Sequence, residues 1–158
     1  MTKKNIDYIT IREDFSIYEC ENGQILRLKS TLSSLVADEE EGKETRTGIE
    51  LKEISNVFTP KPIDTADLKT AKPEDVTKEN EREELKFKPL KVINSIYETE
   101  KSLIIICPML EKIILTDCKD SSGNPIVRYA LKNALNVIAK KLLLGPEGSQ
   151  DPQVIKKD

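Results

Sequence analysis

Asp117 and Asp120 flank Cys118 beside the turn Ser121-Ser122-Gly123-Asn124-Pro125. Two carboxylates at that spacing could supply oxygen ligands for a divalent cation, or the acid and base of a hydrolytic site. The same pattern is common in solvated loops. Asp117 and Asp120 are therefore the positions to test for a carboxylate-based, metal-dependent hydrolase, while the expectation is a plain turn with no metal and no cofactor. The chain has no histidine, which removes the commonest general base, the commonest metal ligand and every Ser-His or Cys-His nucleophile pair. Cys20, Cys107 and Cys118 form no CxxC pair and cannot close a four-ligand Cys/His zinc site within one chain. Cys107 lies in an apolar run and reads as a small buried hydrophobe.

Anion chemistry is equally constrained. Gly42-Lys43 follows four acidic residues, Asp38 to Glu41, and none of the six glycines belongs to a GxGxxG turn, so neither a phosphate-binding loop nor a dinucleotide turn is expected. Against 25 Lys and Arg stand 28 Asp and Glu, a net charge of −3, the wrong balance for gripping a phosphate backbone. Seven aromatic residues without basic interleaving make a poor stacking surface for single strands. Nucleic acid is thus an unexpected partner, and a small regulatory or nucleic-acid-associated domain is the alternative reading rather than the leading one. The longest apolar run, Leu103 to Leu110, has eight residues, where a membrane-spanning helix needs about 20. With an odd cysteine count and no apolar leader, a cytoplasmic protein without a membrane partner is expected.

The elements that position these residues are mostly strands. Tyr8-Ile9-Thr10-Ile11 is β-branched and aromatic, and Phe15 to Cys20 alternates with period two. Asn22-Gly23 then predicts a type I′ hairpin leading into Gln24 to Val36, where Leu32, Leu35 and Val36 slip the apolar phase and call for a bulge or bend. Ile49, Leu51, Ile54, Val57 and Phe58 predict a strand returning on residues 25 to 36. Val92-Ile93, Ile96 to Glu98, Leu103 to Cys107 and Ile113 to Leu115 restore the β pattern after Pro89. Residues 126 to 131 predict a strand. From Ala130 to Leu144 a helical face and a second strand compete, and Lys140-Lys141 would suit a helix C-terminus.

Between Thr59 and Leu90 the composition changes: four prolines, fifteen charged residues and no glycine occupy thirty-two positions. Eight acidic against seven basic residues nearly cancel, so the segment reads as a stiff charged linker, with Pro73-Glu74-Asp75 opening a short polar helix to about Lys86. Leu68, Val76, Leu85, Phe87 and Leu90 are too sparse for a core and suit docking on a partner surface.

Two stretches also align. Ile17-Tyr18-Glu19 recurs as Ile96-Tyr97-Glu98, and after a one-residue deletion Leu26, Leu28, Leu32, Leu35 and Val36 fall on Ile104, Ile106, Leu110, Ile113 and Ile114. Asn-Val follows at 56–57 and 136–137. Either the chain is an internal duplication, or two β-rich segments align once gaps are allowed. If it is a duplication, the final segment is a strand.

The expected fold is mainly β with minor α, an α+β arrangement whose two units of about 45 residues are each too small to bury a core alone and pack into one β-sandwich or barrel. The expected divisions are a first β unit at 6–58, the linker at 59–90, a second β unit at 91–144 that ends in either a helix or a further strand, and a loose tail at 145–158. The functional expectation is a non-catalytic accessory or assembly subunit of a larger cytoplasmic complex, holding protein partners through its β platform and charged linker.

Overall fold

The computed structural model describes residues 2–39 and 46–141. Gly42-Lys43, Glu40 and Glu41 of the acidic run, and the tail from 145 lie outside the described residues. Among the described residues eleven strands form two open antiparallel sheets, with one short parallel contact. The mainly β class holds, and neither sheet closes into a barrel. The first sheet has β4 (Ile25–Glu39) at its centre. One edge of β4 pairs along its length with β5 (Arg46–Phe58), and the other pairs first with β3 (Ser16–Cys20) and then with β1 (Thr2–Asn5). In the second sheet β10 (Ser102–Lys119) pairs with β11 (Pro125–Ala139) on one edge and with β9 (Ser95–Glu98), β7 (Glu81–Leu85) and β6 (Lys69–Thr70) on the other.

Pairing registers repeat between the two sheets. Tyr18 faces Leu26 and Ser16 faces Leu28, while Tyr97 faces Ile104 and Ser95 faces Ile106. The slip of phase becomes a register shift between Leu32 and Ser34 in one unit and between Leu110 and Lys112 in the other, at aligned positions. Asn56 faces Arg27 and Asn136 faces Ile105, so the two Asn-Val pairs occupy equivalent places.

The leading strands are exchanged. β2 (Ile9–Arg12) comes just before β3 yet pairs with β9, and β8 (Phe87–Lys91) comes just before β9 yet pairs with β3. Thr10 opposes Tyr97 as Pro89 opposes Tyr18. Even the aromatic contacts match: Tyr8 meets Tyr97 edge-on at 5.6 Å, and Phe87 meets Tyr18 edge-on at 5.7 Å. Registers, bulges and ring contacts thus repeat between the two sheets, each of which receives the leading strand of the other half of the chain.

Because of the exchange, neither unit owns a core. One cluster joins Tyr18, Leu26 and Leu28 to Leu85 and Ile113; its counterpart joins Leu32 and Leu35 to Tyr97, Ile104 and Ile106. Residues from both units therefore leave water together.

Three expectations change. The Asn22-Gly23 hairpin forms, but as a three-residue loop: the Gly23 N–H donates to the Cys20 carbonyl at 2.9 Å, and Cys20 N–H to the Gln24 carbonyl at 2.8 Å. Only the glycine needs the left-handed region there, with φ 94°, as in a type I turn closed by a glycine bulge. The final segment is a strand through Ala139, with helical backbone confined to Lys140 and Lys141 among the described residues. Its helical periodicity loses to the ladder that β10 offers along the strand. Residues 59–90 are not a linker. The segment has two 3₁₀ turns, Pro73–Asp75 and Lys78–Asn80, in place of a polar helix, then runs as β7 along β10 and as β8 along β3. An isolated polar helix is marginal, whereas the open edge of β10 satisfies the backbone. The charges of Arg82, Glu83 and Glu84 stay exposed on this outer strand, where charge guards a sheet edge.

Candidate interaction surface

Asp117 and Asp120 are held by different local partners. Asp120 Oδ1 accepts the Ser122 and Asn124 amides, both at 2.9 Å, and so builds its own turn. Asp117 accepts from Asn80 Nδ2 at 3.1 Å and from the Cys118 thiol at 3.2 Å, with Lys69 Nζ 3.6 Å away. These donors, the thiol first, hold the Asp117 carboxyl below its ordinary range. Among the described residues no group of three His, Cys, Asp or Glu side chains could hold a metal ion.

The cysteines are placed as structural groups. Cys20 and Cys118 are buried and Cys107 is half-buried, all three free. Burial pushes the Cys20 thiol up to about 11, with Glu19 and Glu21 adding to the effect, and burial followed by Asp117 raises Cys118. A thiol so shifted is a poor nucleophile at neutral pH. An open depression of about 420 Å³ beside Cys20 and Phe87 is rimmed by Glu19, Glu21, Lys86 and Lys88.

The five apolar residues of segment 59–90 divide. Leu85 is 4% exposed and belongs to a core cluster, against which Phe87 packs. These two side chains anchor the segment to the chain's own fold, which corrects their reading as partner contacts. Leu68 and Val76 are half-buried. Leu90, at 54% exposure, is free to meet another surface.

The outward faces of the two sheets show a contrast that pattern reading missed. Facing outward on the first sheet, Arg27 is clamped between the rings of Phe15, 4.8 Å away, and Phe58, 5.3 Å away, and Lys29 sits over Phe15 at 4.7 Å. Arg27 Nε is buried without a hydrogen-bond partner, so ring faces stand in for solvent. The duplicated positions on the second sheet are Ile105 and Cys107. There the outward row of β10 is Leu103, Ile105, Cys107 and Met109, flanked by Ile96 on β9 and by Ile138, the polar Asn136 and Ala134 on β11. Charge appears only around it: Lys140 pairs with Glu98 at 2.5 Å, and Lys132 lies opposite Met109. An apolar centre inside a polar rim is the anatomy of a protein–protein interface.

No protein-family model, no curated protein and no solved structure matches the chain. Among the described residues no helix is long and apolar enough to cross a membrane.

A second asymmetry lies inside. Tyr97, fully buried, donates to a Glu13 carboxylate oxygen and accepts the Leu32 amide at 2.9 Å, while Tyr8 donates to the Leu32 carbonyl at 3.0 Å. Lys29 approaches Glu13 at 3.9 Å. Burial, with the Glu13 hydrogen bond adding, pushes the Tyr97 phenol up to about 12. The duplicated positions of Tyr8 and Glu13 are Phe87 and Val92, so the polar network exists on one side of the molecule only. It ties the crossing segment after β2 to both sheets and has a structural role.

Proposed function

We propose that the protein is a non-catalytic accessory or assembly subunit of a cytoplasmic complex, and that it holds a protein partner on the outward face of the second sheet. The observation that carries this reading is the contrast within one duplicated chain. Where one sheet places Arg27 and Lys29 against the rings of Phe15 and Phe58, the other places Ile105 and Cys107, next to Met109 at 46% exposure. A charged face is compatible with solvent on its own, whereas a contiguous apolar face is stabilised by being covered. Burying the apolar centre supplies the association energy, and the Glu98–Lys140 pair and Lys132 supply the rim that sets orientation.

Gentle native purification from source cells tests the reading, with co-eluting proteins identified and their stoichiometry weighed. A stoichiometric partner is expected with the native chain. It is expected to be lost from an Ile105→Lys, Cys107→Lys double variant, which recreates the cationic pattern of the first sheet. Retention of the same partner by a folded double variant would remove this face as the docking site.

A further inference from the structure

Among the described residues the open edge of β11 carries the longest uncharged run of any open edge, Asn133 to Ala139 against Ile54 to Phe58 on β5. Among the described residues no strand pairs with its outer side, although β11 runs for fifteen residues. Natural sheets protect such edges with charge, proline, bulges or brevity. β2 is four residues long and bulged between Thr10 and Arg12. β8 contains Pro89 between Lys88 and Lys91. β5, the duplicate of β11, carries Glu50, Lys52 and Glu53 at its middle and is followed by Pro60. On β11 two of those three positions are uncharged, Ala130 and Asn133, with only Lys132 keeping a charge. From Asn133 to Ala139 there is then neither charge nor proline nor glycine.

We infer that this edge pairs with the same edge of a second copy of the chain, antiparallel about a twofold axis at Asn136, joining two six-stranded sheets into one. The segment is self-complementary in that register. Leu135 meets the partner copy's Val137 on one face and Ala134 meets its Ile138 on the other, so that every cross-strand pair from Asn133 to Ala139 is uncharged. Leu135 at 41% and Val137 at 55% exposure are the side chains such pairing would cover. Just outside the segment Lys132 meets Lys140, whose charge is already held by Glu98 at 2.5 Å. An isologous contact of this kind closes on itself and does not propagate into fibres. It does not depend on the outward face having a partner, although it would place two such faces side by side.

Sedimentation of the purified full chain across a concentration series tests the inference. The expected result is a reversible species of twice the mass of the 158-residue chain, weakened at least tenfold by Val137→Lys and unchanged by Val57→Lys at the duplicated place on β5. Circular dichroism checks that both variants remain folded. As a second measurement, Asn136→Cys should form a disulfide-linked dimer on mild oxidation, because self-paired positions lie about 5 Å apart between Cα atoms. A native chain that stays monomeric throughout would overturn the inference. So would a dimer that Val137→Lys leaves intact, or one that Asn136→Cys fails to cross-link.

Discussion

Replacing Tyr97 by Phe removes one hydroxyl and separates two roles that the duplicated partner, Tyr18, does not combine. In the native chain that hydroxyl accepts the Leu32 amide at 2.9 Å and donates to Glu13. Leu32 is 5% exposed, so water cannot replace the lost acceptor, and a buried unsatisfied donor costs about 1–3 kcal/mol. Glu13 keeps 28% side-chain exposure and can turn to solvent, which adds little. Tyr18 is equally enclosed, at 4% exposure, but its hydroxyl is set against Ser16 and holds no strand from the other sheet. Tyr18→Phe should therefore cost below about 1 kcal/mol. With a urea dependence of about 2 kcal/mol per molar, Tyr97→Phe moves the unfolding midpoint down by about 0.5–1.5 M. Alkaline titration gives an independent reading. The folded phenol, at about 12, lies above its unfolded value of about 10, so the folded chain binds more protons between those values. The associated stability is fully present below pH 10 and is lost as pH rises through the interval. Tyr97→Phe should flatten that loss. Equal midpoint shifts for the two variants, or an unchanged alkaline slope in Tyr97→Phe, would refute the bridging role.

Two further measurements test how segment 59–90 and the cysteines are held. Leu85→Ala should cost about 2–5 kcal/mol in chemical unfolding, as for any core leucine, whereas Leu90→Ala, at a position 54% exposed, should change stability by no more than about 0.5 kcal/mol; indifference to Leu85→Ala would return the segment to a tether. Under a disulfide-exchange reagent at pH 8, half-buried Cys107 should react first, while Cys20, at about 11, and buried Cys118 wait for unfolding; three thiols reacting in one fast phase would contradict the packing.

Local pattern, which needs only neighbours along the chain, determined the β class, the two hairpins and the bulge positions at Leu32 and Leu110. Glycine at 23 and 123 marked turns because only glycine adopts φ of 94° and 85° at no steric cost. The sequence also showed the apolar row from Leu103 to Cys107, but composition cannot say which side of a strand meets water, and that row is split between core and outward face. Tertiary structure alone decided what depends on distant partners. β11 is a strand although its periodicity also fits a helix, because β10 completes its ladder. Segment 59–90 is ordered although its composition is that of a linker, because Leu85 enters a core made by Ile113, Leu26 and Tyr18. Glu13 and Tyr97 meet across 84 residues, and the crossed leading strands that bring them together follow from two half-cores that can exclude water only jointly.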